Sequence, residues 1–514
     1  MLHVLQHYLP LRKAILIASE LVLLTLVVGA VMTAHLWSGP VERDVARLFV
    51  EAGYNAEEAF LRCLFSSFVA VVLAQLALGF NELYDFRVSV SRYDRARRFM
   101  GSMGTALFVT LGTLGLAHIW RLGPALDLPG LSLSQKVQVI VFGVLIGFSL
   151  LYLWRPLFHT LLRRADFQER VLILGSSKAA HVLAREMREH AASGYEIVGI
   201  LPETIDPASG LTPYDPELTG TSDLVVEGLR LGEPGLTDEA GSPSSRKLEE
   251  LVHEREIQEV VVALADRRGK LPISSLLHCR LAGIRVRNYD SVFENVTGKI
   301  SVEALRPSYL IFNEGFSRHP WADLVKGLFD RAMALLMLAL LWPVMLATAV
   351  AVRLSSPGPV LFTQERVGRD GQPFTLIKFR SMYADAEKRT GPVWATEDDP
   401  RITPIGRFLR KSRLDELPQL INVLSGSMSL VGPRPEREVF VEELSSEIPY
   451  FRQRQIVKPG LTGWAQINYP YGNTVEDALQ KLQYDLFYIK YQSFLFDLSI
   501  LFNTIKTIVL RRGT

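Results

Sequence analysis

Apolar and polar positions alternate in long blocks rather than evenly. Four apolar blocks fill the first third of the chain, at about 14–36, 59–80, 99–120 and 137–154. Each approaches the ~20 residues that an α-helix needs to cross about 30 Å of hydrocarbon. The first is too long for the core of a signal peptide, lacks a clear cleavage site and is followed by three more of its kind. Arg12, Lys13, Arg87, Arg92, Arg95, Arg97, Arg98, Arg155, Arg163, Arg164 and Arg170 fall on one side of these blocks. The other side has Arg43, Arg47, Arg121 and Lys136, diluted by Glu42, Asp44, Glu51, Glu57, Glu58 and Asp127. The bias of Lys and Arg toward the cytoplasm puts both ends of this bundle, and the chain that follows, on the cytoplasmic side. Ionisable groups are nearly absent from the mid-membrane stretches, so the bundle reads as an anchor rather than a transport pathway.

The pattern changes near residue 170. VLIL (171–174) reads as a buried strand, GSSKAA (175–180) opens a helix through Val182, Leu183, Glu186 and Met187, and YEIVGIL (195–201) is a second strand. EVVVAL (259–264), a helix with Leu276 and Leu277, and IRVR (284–287) continue the alternation. Alternation of strands and helices implies a parallel sheet. The first loop departs from the dinucleotide fingerprint: Ser177 stands where a second glycine would let a pyrophosphate approach, and Glu196 lies inside its strand rather than at the tip. A structural or regulatory domain is the simpler reading. The stretch 202–245, rich in Pro, Gly, Asp, Glu and Ser, reads as a flexible insertion.

A fifth apolar run, 332–352, has Pro343 at its centre and basic residues on both flanks: Arg318, Lys326 and Arg331 before it, Arg353, Arg366 and Arg369 after. The charge bias therefore gives no preferred crossing. A full crossing would export the C-terminal third, away from nucleotide substrates. Mid-helix proline removes a hydrogen bond and kinks the chain, so a re-entrant helix–break–helix that enters and leaves on the cytoplasmic face fits better.

Composition narrows the picture. The 514 residues carry a formal charge of only +2, which gives no electrostatic reason to expect nucleic acid. Hydrophobic residues make up 48% and charged residues 21%, which excludes a disordered chain. Two distant cysteines, Cys63 and Cys279, exclude a disulfide scaffold and a cysteine-based metal site.

The C-terminal third is dense in motifs: SSPGPVLFTQERVG (355–368), KFRSM (378–382), DPRITPIGRFLRKSRLDELPQLINVLSGSMSLVGPRP (399–435) and KPGLTGWAQ (458–466). Between 401 and 413 lie Arg401, Arg407, Arg410, Lys411 and Arg413 with no acid among them, and the paired carboxylates Asp415 and Glu416 follow directly. Several cations around two adjacent acids fit a phosphate substrate plus a divalent ion. Pro418 is tolerated in the first turn of a helix, so a helix through LPQLINVL starts close to Asp415. Its dipole and the nearby arginines favour an ionised carboxylate. Taken alone, an Asp-Glu pair at a helix start is ordinary capping.

Together these motifs, over about 318–514, resemble the bacterial sugar transferase family, the monotopic phosphoglycosyl transferases. Four preceding helices and an α/β domain resemble its large members. The resemblance implies that Asp415 attacks the sugar-linked phosphorus of a UDP-sugar, releasing UMP, and that undecaprenyl phosphate then takes the phosphosugar from the carboxylate. It implies Mg²⁺ held by Glu416, and phosphate oxygens bound by Lys378, Arg410 and Arg434, with Arg380 and Lys458 as further phosphate-binding candidates. Glucose or galactose is the favoured sugar. The large members also imply a homodimer, although no seam for one is legible.

The expected architecture is a multidomain membrane protein. It comprises a four-helix transmembrane bundle (1–160), a Rossmann-like α/β cytoplasmic domain (165–315) and an α/β monotopic catalytic domain (318–514) with a re-entrant helix at about 323–354 broken at Pro343. The C-terminal apolar–polar mixture, QSFLFDLSILFNTIKTIVLRR, reads as an amphipathic helix at the membrane interface. The expected location is the bacterial inner membrane, multi-pass, at the first membrane step of exopolysaccharide, capsule or O-antigen synthesis. Two rival readings are a nucleotide-dependent sugar oxidoreductase or dehydratase and a non-catalytic membrane scaffold. The first needs an intact glycine fingerprint and a Tyr-x-x-x-Lys pair in the middle domain, and neither is present.

Overall fold

The computed structural model describes residues 11–37, 56–80, 83, 92–119, 133–164, 169–175, 177–189, 195–202, 221–226, 243–264, 271–302, 305, 307–312, 315–316, 320–383, 386, 399–470, 472 and 474–509. The insertion read at 202–245 lies outside them except for 202, 221–226 and 243–245, as do Asp398 and most loops between the apolar blocks. By their contacts the residues form two units, Met1–Arg287 and Asn288–Thr514.

In the first unit, helices α1 (Leu11–Trp37), α2 (Ala56–Phe80), α3 (Arg92–Ile119) and α4 (Leu133–Arg164) pack α1 on α2 and α4, and α3 on α2 and α4. Leu16, Leu24, Val71, Leu78, Ala106, Phe148 and Leu151 form their shared core. Gly143 and Gly147 of α4 let Val28 and Leu24 of α1 approach closely, as small residues do between membrane helices. Further along α4, Arg155 meets the buried Glu20 carboxylate at 2.6 and 3.1 Å, and the Trp154 indole donates to Ser19 Oγ. Falling numbers on α4 against rising numbers on α1 make the pair antiparallel. Arg155, counted at sequence level among the cytoplasmic flanks, is thus turned into the bundle. Among the described residues, two helices contain stretches long and apolar enough to cross a membrane: Ile140–Phe158 within α4, and Pro320–Ser355 in the second unit.

The same unit carries a four-stranded sheet in the order β2-β1-β3-β4, from β1 (Glu169–Leu174), β2 (Tyr195–Leu201), β3 (Glu259–Val262) and β4 (Arg285–Asn288). β1 pairs in parallel with both β2 and β3. Helices α5 (Lys178–Glu189), α6 (Pro243–Glu254) and α7 (Ile273–Leu281) make the connections. Leu172, Leu174, Val260 and Val262 bury against Leu248, Val252 and Leu276. Ser177 Oγ donates to the Ala263 carbonyl at 2.8 Å and accepts from the Ala180 amide, so the serine that breaks the glycine fingerprint caps α5 and ties it to the end of β3.

The second unit starts earlier than the boundary near 315 expected from the sequence. Helix α8 (Tyr289–Thr297) and α9 (Pro307–Phe312) are bonded into the C-terminal third. Buried Glu294 accepts from Lys490 Nζ at 2.8 Å and from Tyr491, and the Trp464 indole donates to the Gly298 carbonyl. Breaking such buried pairs exposes uncompensated charge, so the segment belongs with its partners.

Helix α10 (Pro320–Ser355) is continuous through Pro343, and its two ends pack on the same unit. Near the start, Lys326 reaches Asp497 at 2.6 Å and Asp330 accepts from Ser429 at 2.7 Å. Near the end, Val352 packs with Phe379 and Leu409. Between them Leu335, Leu336, Leu340, Trp342, Val344, Leu346 and Val350 are exposed. A hairpin follows, β5 (Leu361–Val367) antiparallel to β6 (Pro373–Phe379), with Phe362 opposite Lys378. Helices α11 (Pro404–Ser412) and α12 (Gln419–Ser425), strand β7 (Ser429–Val431), α13 (Glu438–Glu447), β8 (Gly460–Thr462), α14 (Trp464–Asn468), α15 (Val475–Tyr491) and α16 (Phe494–Val509) complete it. α16 buries Phe496 and Ile500 against this unit and exposes Leu495, Leu498, Ile505 and Ile508, a two-sided distribution in keeping with the amphipathic reading.

α11 is fixed at its start by Thr403, whose hydroxyl accepts from the Gly406 amide, followed by Pro404 in the first turn. Gly406 presses on the Ser381 carbonyl: an added Cβ would lie 1.9 Å from that oxygen. Helix propensity alone favours alanine over glycine by about 1 kcal/mol. Here the contact is with backbone and cannot swing away, so overpacking wins. Gly406→Ala is expected to destabilise the chain by about 1–3 kcal/mol; a thermal melt in detergent equal to or above that of the parent would refute this.

Candidate active site

Asp415 and Glu416 lie in a tight 3-10 turn, Leu414–Glu416, between α11 and α12. Arg413 ends α11 in the left-handed region (φ 57°), a conformation side chains rarely adopt, and this reverses the chain so that the acids face β6. Pro418 then caps α12. The sequence places the helix start correctly to within a turn. The acids, however, precede the α-helix, and successive side chains of a three-residue turn point about 120° apart.

The two carboxylates consequently meet different surroundings. Glu416 Oε1 accepts from Arg434 Nη2 at 3.1 Å and from Arg413 Nη1 at 3.4 Å. Burial opposes its ionisation, but the guanidiniums of Arg434 and Arg413 outweigh that and hold it below the usual carboxylate range. Asp415 is 6% exposed, and its Oδ1 is buried without a hydrogen-bond partner. Burial, then the neighbouring Glu416 charge, push it up to about 6, against the pull of Lys378, Arg410 and Arg413. Lys378, on β6, lies with its ammonium 5.2 Å from the centre of the Phe362 ring. Burial and repulsion from Arg366 bring it down to about 8. Arg410 is aimed from α11 by a bond from its Nε to Ser381 Oγ at 3.0 Å.

Arg434 is presented by the turn after β7. β7 and β8 run parallel, and the Gly432 and Gly460 backbones approach so closely that a Cβ on Gly460 would lie 2.1 Å from the Gly432 nitrogen. From beneath, Arg454 donates to the Arg434 carbonyl at 3.0 Å and pairs with buried Asp485 at 2.8 Å. Asp485 is raised to about 6 by burial, in spite of Arg454.

Lys378, Arg410, Asp415, Glu416 and Arg434 therefore come together. Arg380 and Lys458 do not join them. The Arg380 side chain is buried and donates to the carbonyls of Ser356 and Pro357 and to Ser356 Oγ, so it holds the turn leaving α10. Lys458 has Arg331 and Arg369 as its strongest charged neighbours. The basic run also divides: Arg401 is bonded to Asp399, Arg407 and Lys411 are exposed, and only Arg410 and Arg413 act on the acids. Trp464 is a core residue, edge-on to Phe496 at 5.2 Å. Two contributors escaped the sequence reading. Ser381 lies inside the quoted KFRSM motif, and Arg366, inside SSPGPVLFTQERVG, is bonded to Gln364 and to the Pro435 carbonyl beside Arg434. Motif membership was their available signal; charge density was not.

Among the described residues no cluster of three or more His, Cys, Asp or Glu forms a ready metal cage. A magnesium ion does not require one, since it characteristically takes one or two carboxylates together with substrate phosphates. The unpartnered Asp415 oxygen and the adjacent Glu416 carboxylate fit that requirement.

A family model described as bacterial sugar transferase matches residues 321–511. The UDP-N-acetylgalactosamine-undecaprenyl-phosphate N-acetylgalactosaminephosphotransferase of Aeromonas hydrophila is 41% identical over 234 residues, 46% of this chain and 54% of that protein. The UDP-glucose:undecaprenyl-phosphate glucose-1-phosphate transferase of Xanthomonas campestris pv. campestris is 35% identical over 346 residues, 65% of each chain. Its namesake in Escherichia coli (strain K12) is 35% identical over 348 residues, 67% of this chain and 68% of that one. The aligned part of the chain thus spans from about half to about two thirds of the length of these relatives.

The pair beneath Arg434 is testable by stability. Arg454→Leu strands a buried Asp485 and is expected to cost about 3–5 kcal/mol in denaturant titration. The double variant Arg454→Leu, Asp485→Leu should recover most of that loss. Equal losses in the single and double variants would show that the pair is not what holds the turn.

Proposed function

The chain belongs to the bacterial sugar transferase family, and on that premise we propose that it transfers a sugar 1-phosphate from a UDP-sugar to undecaprenyl phosphate, releasing UMP. The observation that carries this reading is the divided pair of acids: Glu416 is neutralised by Arg434 and Arg413, while Asp415 keeps a buried, unbonded oxygen among cations. An anionic carboxylate approaches an anionic phosphate only where positive charge offsets the repulsion.

In the first step an Asp415 oxygen attacks the phosphorus that bears the sugar. The phosphoanhydride bond breaks, UMP departs with the bridging oxygen, and the phosphosugar is held as an acyl phosphate. In the second, an oxygen of the lipid phosphate attacks the same phosphorus and the Asp415 carboxylate leaves. Lys378, Arg410 and Arg434 orient and neutralise phosphate oxygens through both steps. Glu416, with Asp415 adjoining, would hold Mg²⁺, which would add to the neutralisation of the diphosphate. UDP-hexoses are the donor class. Glucose or galactose is favoured on architecture, and the relatives' names place N-acetylgalactosamine beside glucose in the panel to be assayed.

We read the site as facing the cytoplasm of a multi-pass inner-membrane protein. Both ends of α10 dock on one unit while its middle is exposed and apolar, which supports a re-entrant insertion, although the helix runs on through Pro343 without the break expected there. Such a membrane dip brings the acceptor phosphate to the depth of Asp415.

Asp415→Asn should abolish UMP release and acid-sensitive labelling by radiolabelled donor in the absence of lipid acceptor. Because the substitution removes a buried, unpartnered charge, its melting temperature should not fall below the parent's; full activity in a folded variant would defeat the nucleophile assignment. The pH profile of kcat/KM should be bell-shaped. Below about 6 Asp415 takes up a proton and cannot attack, and above about 8 Lys378 loses its charge. UMP release rates that stay flat from about pH 5 to about pH 9 would contradict this pairing.

A further inference from the structure

A second cationic site lies at the far end of α12 from Asp415. Arg331 Nη2 and Lys458 Nζ converge on one point: they stand 2.8 and 3.7 Å from where a Cβ on Gly426 would be. Gly426 follows the last residue of α12, whose first turn adjoins the acids. By helical rise the two places are on the order of 15 Å apart. Neither cation forms an ion pair among the described residues. Nearby Asp330 is engaged by Ser429 and Lys326, and Asp323 by Arg369. Among the described residues, Arg331 makes a single long contact, to the Gly327 carbonyl of its own helix. Burial and repulsion from Arg331 and Arg369 depress the Lys458 ammonium, against the smaller opposing pull of Asp330 and Asp323.

Position supplies the second observation. Leu328, Arg331 and Leu335 are spaced three and four residues apart and share one face of α10, and all three are exposed. Arg331 thus interrupts an outward leucine stripe at the start of the apolar run, the depth at which lipid phosphates lie. A soluble protein has little use for an unpaired guanidinium set in exposed leucines. A headgroup phosphate below and acyl chains beside it satisfy both. We propose that Arg331 and Lys458 form a phosphate-binding site, separate from the Asp415 centre, that holds the phosphate of a membrane lipid. For the acceptor it would be a waiting position one short helix away from the reaction. It rests on the proposed function only for that role; the binding itself does not.

The test measures lipid binding by native mass spectrometry of the full chain carrying Asp415→Asn, so that turnover plays no part. Undecaprenyl phosphate and phosphatidylglycerol are the probes, with phosphatidylcholine as reference and inorganic phosphate as competitor. Arg331→Gln and Lys458→Gln should each weaken binding of at least one anionic probe about tenfold, the worth of one charge-assisted hydrogen bond. Arg331→Lys should restore most of it. Whichever probe responds identifies the lipid. Equal binding by all variants overturns the proposal, as does displacement of the lipid by inorganic phosphate at equal concentration, which would make the ligand soluble. Covalent labelling by donor in the Arg331→Gln chain with Asp415 intact reports separately on the nucleophile: its absence from the parent as well would condemn the catalytic reading and leave the lipid site standing.

Discussion

Two carboxylates placed side by side in a buried turn repel each other, and the rest of the C-terminal unit is arranged around the resolution of that conflict. Glu416 is given two guanidiniums at hydrogen-bonding distance, and Asp415 is given charges at longer range and no bond to one of its oxygens. The asymmetry comes from backbone: a left-handed residue at 413, a three-residue turn and a proline-capped helix send adjacent side chains in different directions.

Holding that turn takes a surprisingly distributed scaffold. Arg434 arrives from a glycine-mediated crossing of β7 and β8, is underpinned by the Arg454–Asp485 pair, and shares its turn with Arg366 from the hairpin. Arg410 is aimed by Ser381, which also supplies the carbonyl on which Gly406 rests. Each of these supports costs stability by itself, through buried charge or backbone crowding, and each is tolerable because its neighbours complete it.

Much of the site was legible because chemistry that needs several residue types at fixed spacing leaves a dense local signature. Asp415, Glu416 and Arg410 are close in sequence, and Lys378 and Arg434 sit in neighbouring motifs. What was not legible depends on where long side chains turn. Lys378 lies in β6 and Arg380 one residue past its end, yet Lys378 acts on Asp415 and Arg380 holds the exit of α10; sequence alone does not say which. The same holds for Lys458, which reaches Arg331 rather than the acids. In the fold, hydrophobic periodicity located the helices and the parallel strands, but the boundary near 315 was missed. The bonds that draw α8 and α9 into the second unit join residues nearly two hundred positions apart, Glu294 with Lys490 and Tyr491.

The clamp made by Arg380 has a mechanical corollary. It fastens the turn at Ser356 and Pro357, just past the end of α10, to the residue that follows β6, two places after Lys378. A strand is stiff over two residues, so tilt or sliding of α10 is passed to that lysine with little slack. With α10 inserted as proposed, the thickness and lateral tension of the surrounding bilayer become inputs to the electrostatics around Asp415, and lipid composition would tune the site without any dedicated sensor domain.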